Sequence, residues 1–467
     1  MDALAIDGAG DTHPLLRAAY RWRLLIILFV ANALSFTDRA ILSVAVEPMR
    51  HELGLSDTQI GLLQGLAFAV TYSLMGIPVG RLAERFDRRR IIAVTIVFFS
   101  VATGLCGLAG GFFQLFLLRV LVGVGEGGFM SPATSLVADH YRPDRRASAL
   151  AVVLCGTPVG FFVGSLAGGR IAQVWGWRAM FLTMSIPGIV IAALVLFALF
   201  ESPRGLAEGT HQRPAVPVPS LKVVMRYLFG QSAFRQLLIG AVLCTCGANA
   251  IGQFQLTFYM RSYGLTLSQS GALTGVISLV SLGIGMLVGG NVVDRIQRLD
   301  PRWYLWGPAI GAALGGLLYA IGFAQAHVGS AVPFIVVGGT FLFFYFAPSY
   351  ALVQLIAGVR MRASAVAIYG VFSGLLGAGL GPTIAGFISS HFSRTHFAAG
   401  DFGSLCKGGH AALIGGTVDQ ACRAAAAYGM RAAMLAASVF MLWGALHFLI
   451  GASGIGRALA IGRSQSA

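Results

Sequence analysis

Apolar runs of about twenty residues recur from one end of this chain to the other, and that repetition limits its possible folds more than any single motif. As a helix, a run of that length crosses a bilayer core of about 30 Å. The polar stretches between the runs are short. Only 11% of the 467 residues are charged and 56% are hydrophobic, whereas soluble domains carry roughly 25% charged residues. The pattern specifies an all-α membrane protein.

Spans are expected near 22–48, 58–82, 90–110, 112–140, 146–172 and 178–200, then 235–261, 267–294, 302–325, 331–357, 361–390 and 424–452. The polar stretch Glu201 to Phe234, with Pro203, Pro214, Pro217 and Pro219, divides these twelve transmembrane helices six and six. The expected organisation is a cytoplasmic tail (1–20), a six-helix bundle (21–200), a cytoplasmic linker (201–234), a second bundle (235–452) and a second tail (453–467). Within the linker, Leu221–Phe229 sets Lys222 and Arg226 one turn apart, with apolar residues mostly elsewhere around the helix. That suits a short helix lying on the inner leaflet; the alternative is a plain flexible tether. Arg21 and Arg23 precede an apolar stretch and an Ala-Asn-Ala triplet, as in a signal peptide, but the stretch continues to Val46 and reads as an uncleaved first span.

The net charge of +15 comes from 33 Lys and Arg against 18 Asp and Glu. Most of the basic residues fall in the terminal segments and the even-numbered connections, which is the positive-inside pattern and puts both termini in the cytoplasm. Nucleic acid as a partner would need one solvated basic face, which the chain lacks. Cys106, Cys155, Cys244 and Cys246 lie in apolar spans, without metal-ligand spacing, and are expected to pack as small side chains. Cys406 and Cys422 fall in the long connection before the last span, which this topology makes periplasmic. There they form a candidate disulfide, with two free thiols as the alternative.

The halves echo one another. Gly80-Arg81-Leu82-Ala83-Glu84-Arg85 follows the second span and Gly289-Gly290-Asn291-Val292-Val293-Asp294-Arg295 the eighth. Glycine and proline recur in the fifth span (Gly156 to Gly168) and the eleventh (Gly374 to Pro382). Such repeats mark two pseudo-symmetric six-helix bundles that rock about a midplane site.

Gly80–Arg90 (GRLAERFDRRR) resembles the loop between the second and third helices of the major facilitator superfamily, with Glu84 where Asp is usual and Asp87 where Gly is usual. Arg119–Gly127 resembles that superfamily's fourth-helix motif and Gly156–Gly169 its fifth-helix motif. Asp38-Arg39 in SFTDRAILSVA, the stretch ELGLSDTQIGLLQGLAFAVTYSLMGIPVGRL, Glu126 in VGVGEGG and the sequence ESPRG after the sixth span resemble the spinster-like branch. Ser35-Phe36 replaces the usual Asn-Tyr, and Gly127 the commoner Ala. The resemblance implies a carrier of lysolipids or sphingolipids; beside it, the expected setting is the cell inner membrane, with a monomer as the default, membrane lipids around it and no cofactor besides a proton gradient.

Four ionisable residues lie deep within expected spans: Asp38 and Arg39 in the first, Arg119 and Glu126 in the fourth. Each such charge costs roughly 2.5–3.5 kcal/mol at mid-membrane, so these residues pair or face water. Arg119 and Glu126 share a helix face about 10.5 Å apart, while Asp38 and Arg39 splay by about 100°. One of the latter two is expected to meet the fourth helix and the other to line a cavity. Burial favours a neutral carboxyl and a nearby arginine favours the charged one, so Asp38 and Glu126 are candidate proton-coupling groups. Arg39 and Arg119 are candidate partners for an anionic headgroup, since a guanidinium donates in two parallel bonds. The opposing reading is that the four residues only staple two helices together.

The second half offers only uncharged cavity candidates, Asn249, Gln253 and Gln354, together with His447. Glu84 and Arg85 could pair with Arg146 or Asp139 as a latch for the outward-open state, or could be topological charge alone. The aromatic run Phe341–Phe346 with Tyr350 is read as lipid-facing, with a lining for a substrate tail as the alternative. Gly123–Gly128 satisfies G-x-G-x-x-G, but inside an apolar span and with no preceding strand it does not bind a dinucleotide. No catalytic or metal-binding set emerges from the dispersed histidines, so a membrane-embedded enzyme is disfavoured. The remaining alternative is a transporter of another organic anion, a sugar phosphate or a drug.

Overall fold

The computed structural model describes residues 14–142, 145–207, 219–296, 300–411 and 415–456. The expected tails at 1–13 and 457–467, and linker residues 208–218, lie outside the described residues, as does the Asp294 side chain. Among the described residues, eleven apolar helices are long enough to cross a membrane. In the first half these are Ala18–Leu53, Asp57–Arg85, Arg88–Cys106, Phe112–His140 and Arg146–Ala198. In the second they are Ser232–Tyr263, Leu267–Gly285, Trp303–Ala324, Val328–Gly358, Ser364–His396 and Thr417–Ala452. Arg146–Ala198 has 53 residues and breaks at Gly176, where φ is 84° and ψ is 161°. Each side of that break is long enough for one crossing of about 20 residues. The twelve expected spans are therefore present, and an even number of crossings places both ends of the bundle on one side, the terminal end; the other is called the far end.

Local sequence starts and bends these helices. Ser56 and Gln59 form a reciprocal capping box that opens the second span, with Gln59 Oε1 2.9 Å from the Ser56 amide. Asp87, the residue that departs from the superfamily loop, caps the third span by accepting from the Arg90 amide at 3.1 Å. In the eleventh span, Ser373–Gly379 winds as a π-helix directly before Gly381-Pro382. A proline supplies no amide to the preceding turn, and the register slips there.

The outward surface of the spans is apolar. On the third helix Val94, Val97, Val101 and Leu105 form an exposed stripe at helical spacing. Water would not tolerate such a surface over the whole molecule, whereas lipid does. Leu221–Gly230 forms the linker helix: Val224 and Leu228 are buried, while Lys222, Val223 and Arg226 are exposed. Tyr227 Oη donates to the Ile356 carbonyl at 3.0 Å, docking this helix on the second half.

Cys406 and Cys422 are joined as a disulfide. Cys106, Cys244 and Cys246 are buried, but Cys155 is exposed at the break between Leu154 and Gly156 rather than packed inside its span. The aromatic run also departs from expectation. Tyr345 is buried and its hydroxyl shares a 3.0 Å hydrogen bond with Thr245, and the Tyr350 ring packs 4.9 Å from that of Tyr369, whereas Phe346 is exposed.

The Gly176 conformation is essentially reserved for glycine and costs other residues about 1–3 kcal/mol. Gly176→Ala should therefore lower the apparent melting temperature of the purified protein. Gly111→Ala should not, because Gly111 is fully extended and a Cβ there meets nothing. Equal effects in a thermal-unfolding assay would contradict this account of the turn.

Candidate functional site

The four mid-membrane charges meet, although not as their spacing alone suggests. Ser35 and Arg39 lie one turn apart on the first helix and both reach Glu126 on the fourth. Arg39 Nε stands 2.9 Å and Ser35 Oγ 2.6 Å from the same oxygen, Glu126 Oε2. Glu126 Oε1 is buried without a hydrogen-bond partner. The Arg39 guanidinium is roofed by three rings, with centroids at 4.5 Å (Phe36), 4.7 Å (Phe68) and 4.6 Å (Tyr72). Phe68 and Tyr72 stack one turn apart on the second helix, which aligns both faces toward the cation.

Asp38 points about 100° away, as adjacent helical residues do. It is 1% exposed and accepts from Thr103 Oγ1 of the third helix at 2.8 Å. The expected division of labour is thus corrected: Arg39 both meets the fourth helix and keeps 16% of its side chain exposed, while Asp38 is sealed against the third helix. Arg119 is buried within electrostatic reach of Asp38, Glu126 and Cys106, and its guanidinium lies 5.1 Å from the Phe68 ring. Its Nε has no hydrogen-bond partner.

The uncharged candidates separate. Gln253 lies between the halves, where its Oε1 accepts from Ser43 at 2.5 Å and its carbonyl from Gln64 Nε2 at 3.2 Å. Asn249 donates to the Thr245 carbonyl of its own helix at 2.9 Å. Gln354 is exposed. His447 bonds Gln236 at 2.6 Å.

At the terminal end, Asp139 pairs with Arg88 rather than with Arg85 or Arg146. Arg88 is wholly buried; it also donates from Nε to Glu201 at 2.7 Å and from a terminal nitrogen to the Ser202 carbonyl at 2.8 Å. The Gly205 amide completes the Asp139 carboxylate at 2.7 Å. The ESPRG sequence thus folds back onto the Gly80–Arg90 loop, all within the first half. Glu84 and Arg85 are exposed and pair with neither proposed partner, and Arg146 bonds the Tyr141 carbonyl at 2.9 Å.

A second cluster, which the sequence reading missed, closes the far end. Asp57 is 2% exposed, with Arg50 Nε 3.0 Å from its Oδ1. Arg261 of the second half grips the same carboxylate with two bonds of 2.8 Å and also pairs with Glu47, and Ser389 Oγ donates to Asp57 at 2.6 Å. These bonds cross between the halves. Around them the halves touch backbone to backbone: a Cβ on Gly61 or Gly386 would collide with the Pro382 or Asp57 carbonyl.

Residues 28–382 match the Major Facilitator Superfamily. The chain is 31% identical over 382 residues to an MFS-type efflux pump of Mycolicibacterium smegmatis, covering 81% of this chain and 86% of that one. It is 28% identical over 408 residues to protein spinster homolog 1 of Xenopus tropicalis, covering 83% and 77%. Among solved structures it resembles a bacterial homolog of the human lysosomal transporter Spinster, crystallised inward-facing and unoccupied. The TM-score is 0.83 at 28% identity, over 95% of this chain and 99% of that one.

Arg88 and Glu84 offer a direct contrast. Asp139→Ala removes one partner of a fully buried guanidinium and should destabilise the protein by about 3–5 kcal/mol. Glu84→Ala at an exposed site should stay within about 0.5 kcal/mol. Detergent-phase thermal denaturation reads both, and a Glu84→Ala loss as large as that of Asp139→Ala would contradict this contrast.

Proposed function

Because this chain belongs to the Major Facilitator Superfamily and is spinster-like within it, we propose that it is a proton-coupled secondary transporter carrying lysophospholipid or sphingolipid-like amphiphiles by alternating access. It sits in the cell inner membrane with both termini in the cytoplasm, as its basic connections favour. With that orientation, the conformer sealed by Asp57 and Arg261 is closed to the periplasm. The protein works as a monomer and draws on the proton gradient alone.

The observation that carries this reading is the Arg39–Glu126 pair, roofed by aromatic rings and only partly hidden, in the middle of a span. A proton on Glu126 removes the charge that holds Arg39 and leaves the cluster net positive. Arg39 is then free to take a phosphate in two parallel hydrogen bonds, which a guanidinium does better than an ammonium. Asp38 is the second proton acceptor, linked through Thr103 to the third helix. The second half carries no charge in the middle of its spans and brings Tyr350 into the neighbourhood of Tyr72, an amphipathic surface suited to an acyl chain.

A second reading, export of another organic anion or a drug, is favoured by the efflux pump among the relatives. Reconstitution decides between them. Glu126→Gln and Asp38→Asn should each abolish uptake driven by an imposed pH gradient, and Arg39→Ala should weaken lysolipid binding by about 2–5 kcal/mol. Unaltered pH dependence in both carboxylate variants removes the coupling scheme. A gradient that drives a drug or sugar phosphate but no lysolipid removes the substrate assignment.

A further inference from the structure

The transport reading leaves unused the segment between the eleventh and twelfth spans. Its bridge, Cys406–Cys422, ties it to the second turn of the last span. Both cysteines are buried with Phe397, Phe402 and Ala425, so the segment has a small apolar core of its own outside the bundle. Asp419, wholly buried, accepts from the Ala411 and Gly415 amides at 3.1 Å each and pairs with Arg423 at 2.9 Å. The base of the segment therefore belongs firmly to the second half.

Its tip reaches the first half. Gly408 and Gly409, at φ 65° and 89°, lie directly on the end of the first helix. A Cβ on Gly409 would run into the Arg50 guanidinium, and one on Gly408 would stand 3.0 Å from His51 Cα. The His410 ring meets His51 edge-on at 4.9 Å between centroids. Arg50 is one of the two arginines facing Asp57; the other, Arg261, crosses the halves to reach it. The segment thus presses on the closing network from the half opposite.

We propose that the Cys406–Cys422 bridge holds this segment as a strap that braces the closed far end through Arg50. Opening requires the end of the first helix to leave the second half, which breaks the Gly409–Arg50 and His410–His51 contacts together with the ion pairs. The covalent link keeps the tip in place when those pairs loosen momentarily and so favours their re-formation. Without that cross-link the loop, still attached to both spans, samples more conformations and loses that effect. The device is additional to proton coupling and does not depend on which substrate is carried.

Hydrogen–deuterium exchange on the full-length protein in lipid nanodiscs, with and without dithiothreitol, tests it. The reductant opens the S–S bond to two thiols and closes to its own cyclic disulfide, and alkylation of Cys406 and Cys422 followed by mass spectrometry reports completeness. Amides of residues 47–53 and 256–263 should exchange at least about tenfold faster after reduction, while those around Arg88 and Asp139 stay unchanged. Unchanged far-end exchange with both thiols fully alkylated overturns the proposal. Gly409→Leu, which leaves the bridge intact but displaces the tip, should reproduce the acceleration, and a silent variant also overturns it. Because no substrate is present, failure here leaves the lipid-carrier reading untouched, and failure of that reading leaves the strap testable.

Discussion

The ion pair between Arg39 and Glu126 sets the terms for the first half of this molecule. Each charge alone would cost roughly 2.5–3.5 kcal/mol in mid-membrane, and stripping one from its buried partner costs about 3–5 kcal/mol. The first and fourth helices are therefore bound to move together, with the second helix carried along by the rings it lays over the guanidinium. The cluster is nevertheless incomplete. One Glu126 oxygen and the Arg119 Nε are buried without hydrogen-bond partners. A buried polar group without a partner is costly. In the proposed scheme a proton satisfies the Glu126 oxygen and an anionic substrate oxygen the Arg119 Nε.

The two ends of the bundle use the same chemistry to opposite effect. Each has a nearly buried aspartate meeting arginine. Asp139 draws its partners, Arg88 and the Gly205 amide, from within the first half, so it stiffens one rigid body. Asp57 draws Arg50 from the first half but Arg261 and Ser389 from the second, so it fastens two bodies along a seam. Only the second arrangement must break when the halves rock. The disulfide-tied segment resting on Arg50 belongs to that seam and has no counterpart among the motifs at the terminal end.

The twelve spans were legible because bilayer thickness imposes a length on every apolar run, and that constraint shows in one sequence without further context. The charged cluster was legible because charge inside such a run is costly enough to imply a partner. Its wiring was not. Thr103 is a small residue in an apolar run with nothing to mark it as the partner of Asp38, and the splay of Asp38 and Arg39 did not say which of the two would meet the fourth helix. Asp57 lay inside a stretch quoted for its family likeness, but at the start of a span a charge needs no buried partner, so nothing singled it out. Arg88 was absorbed into a run of basic residues read as topology.

The central claim is that proton and substrate compete for, or complete, one electrostatic cluster around Arg39 and Glu126. Calorimetric titration of a lysophospholipid into the purified protein, repeated in buffers of different ionisation enthalpy, counts the protons exchanged on binding. The account predicts a non-zero count for the native chain that disappears in Glu126→Gln while measurable binding remains. A count of zero in the native chain, or one that the substitution leaves unchanged, would contradict it.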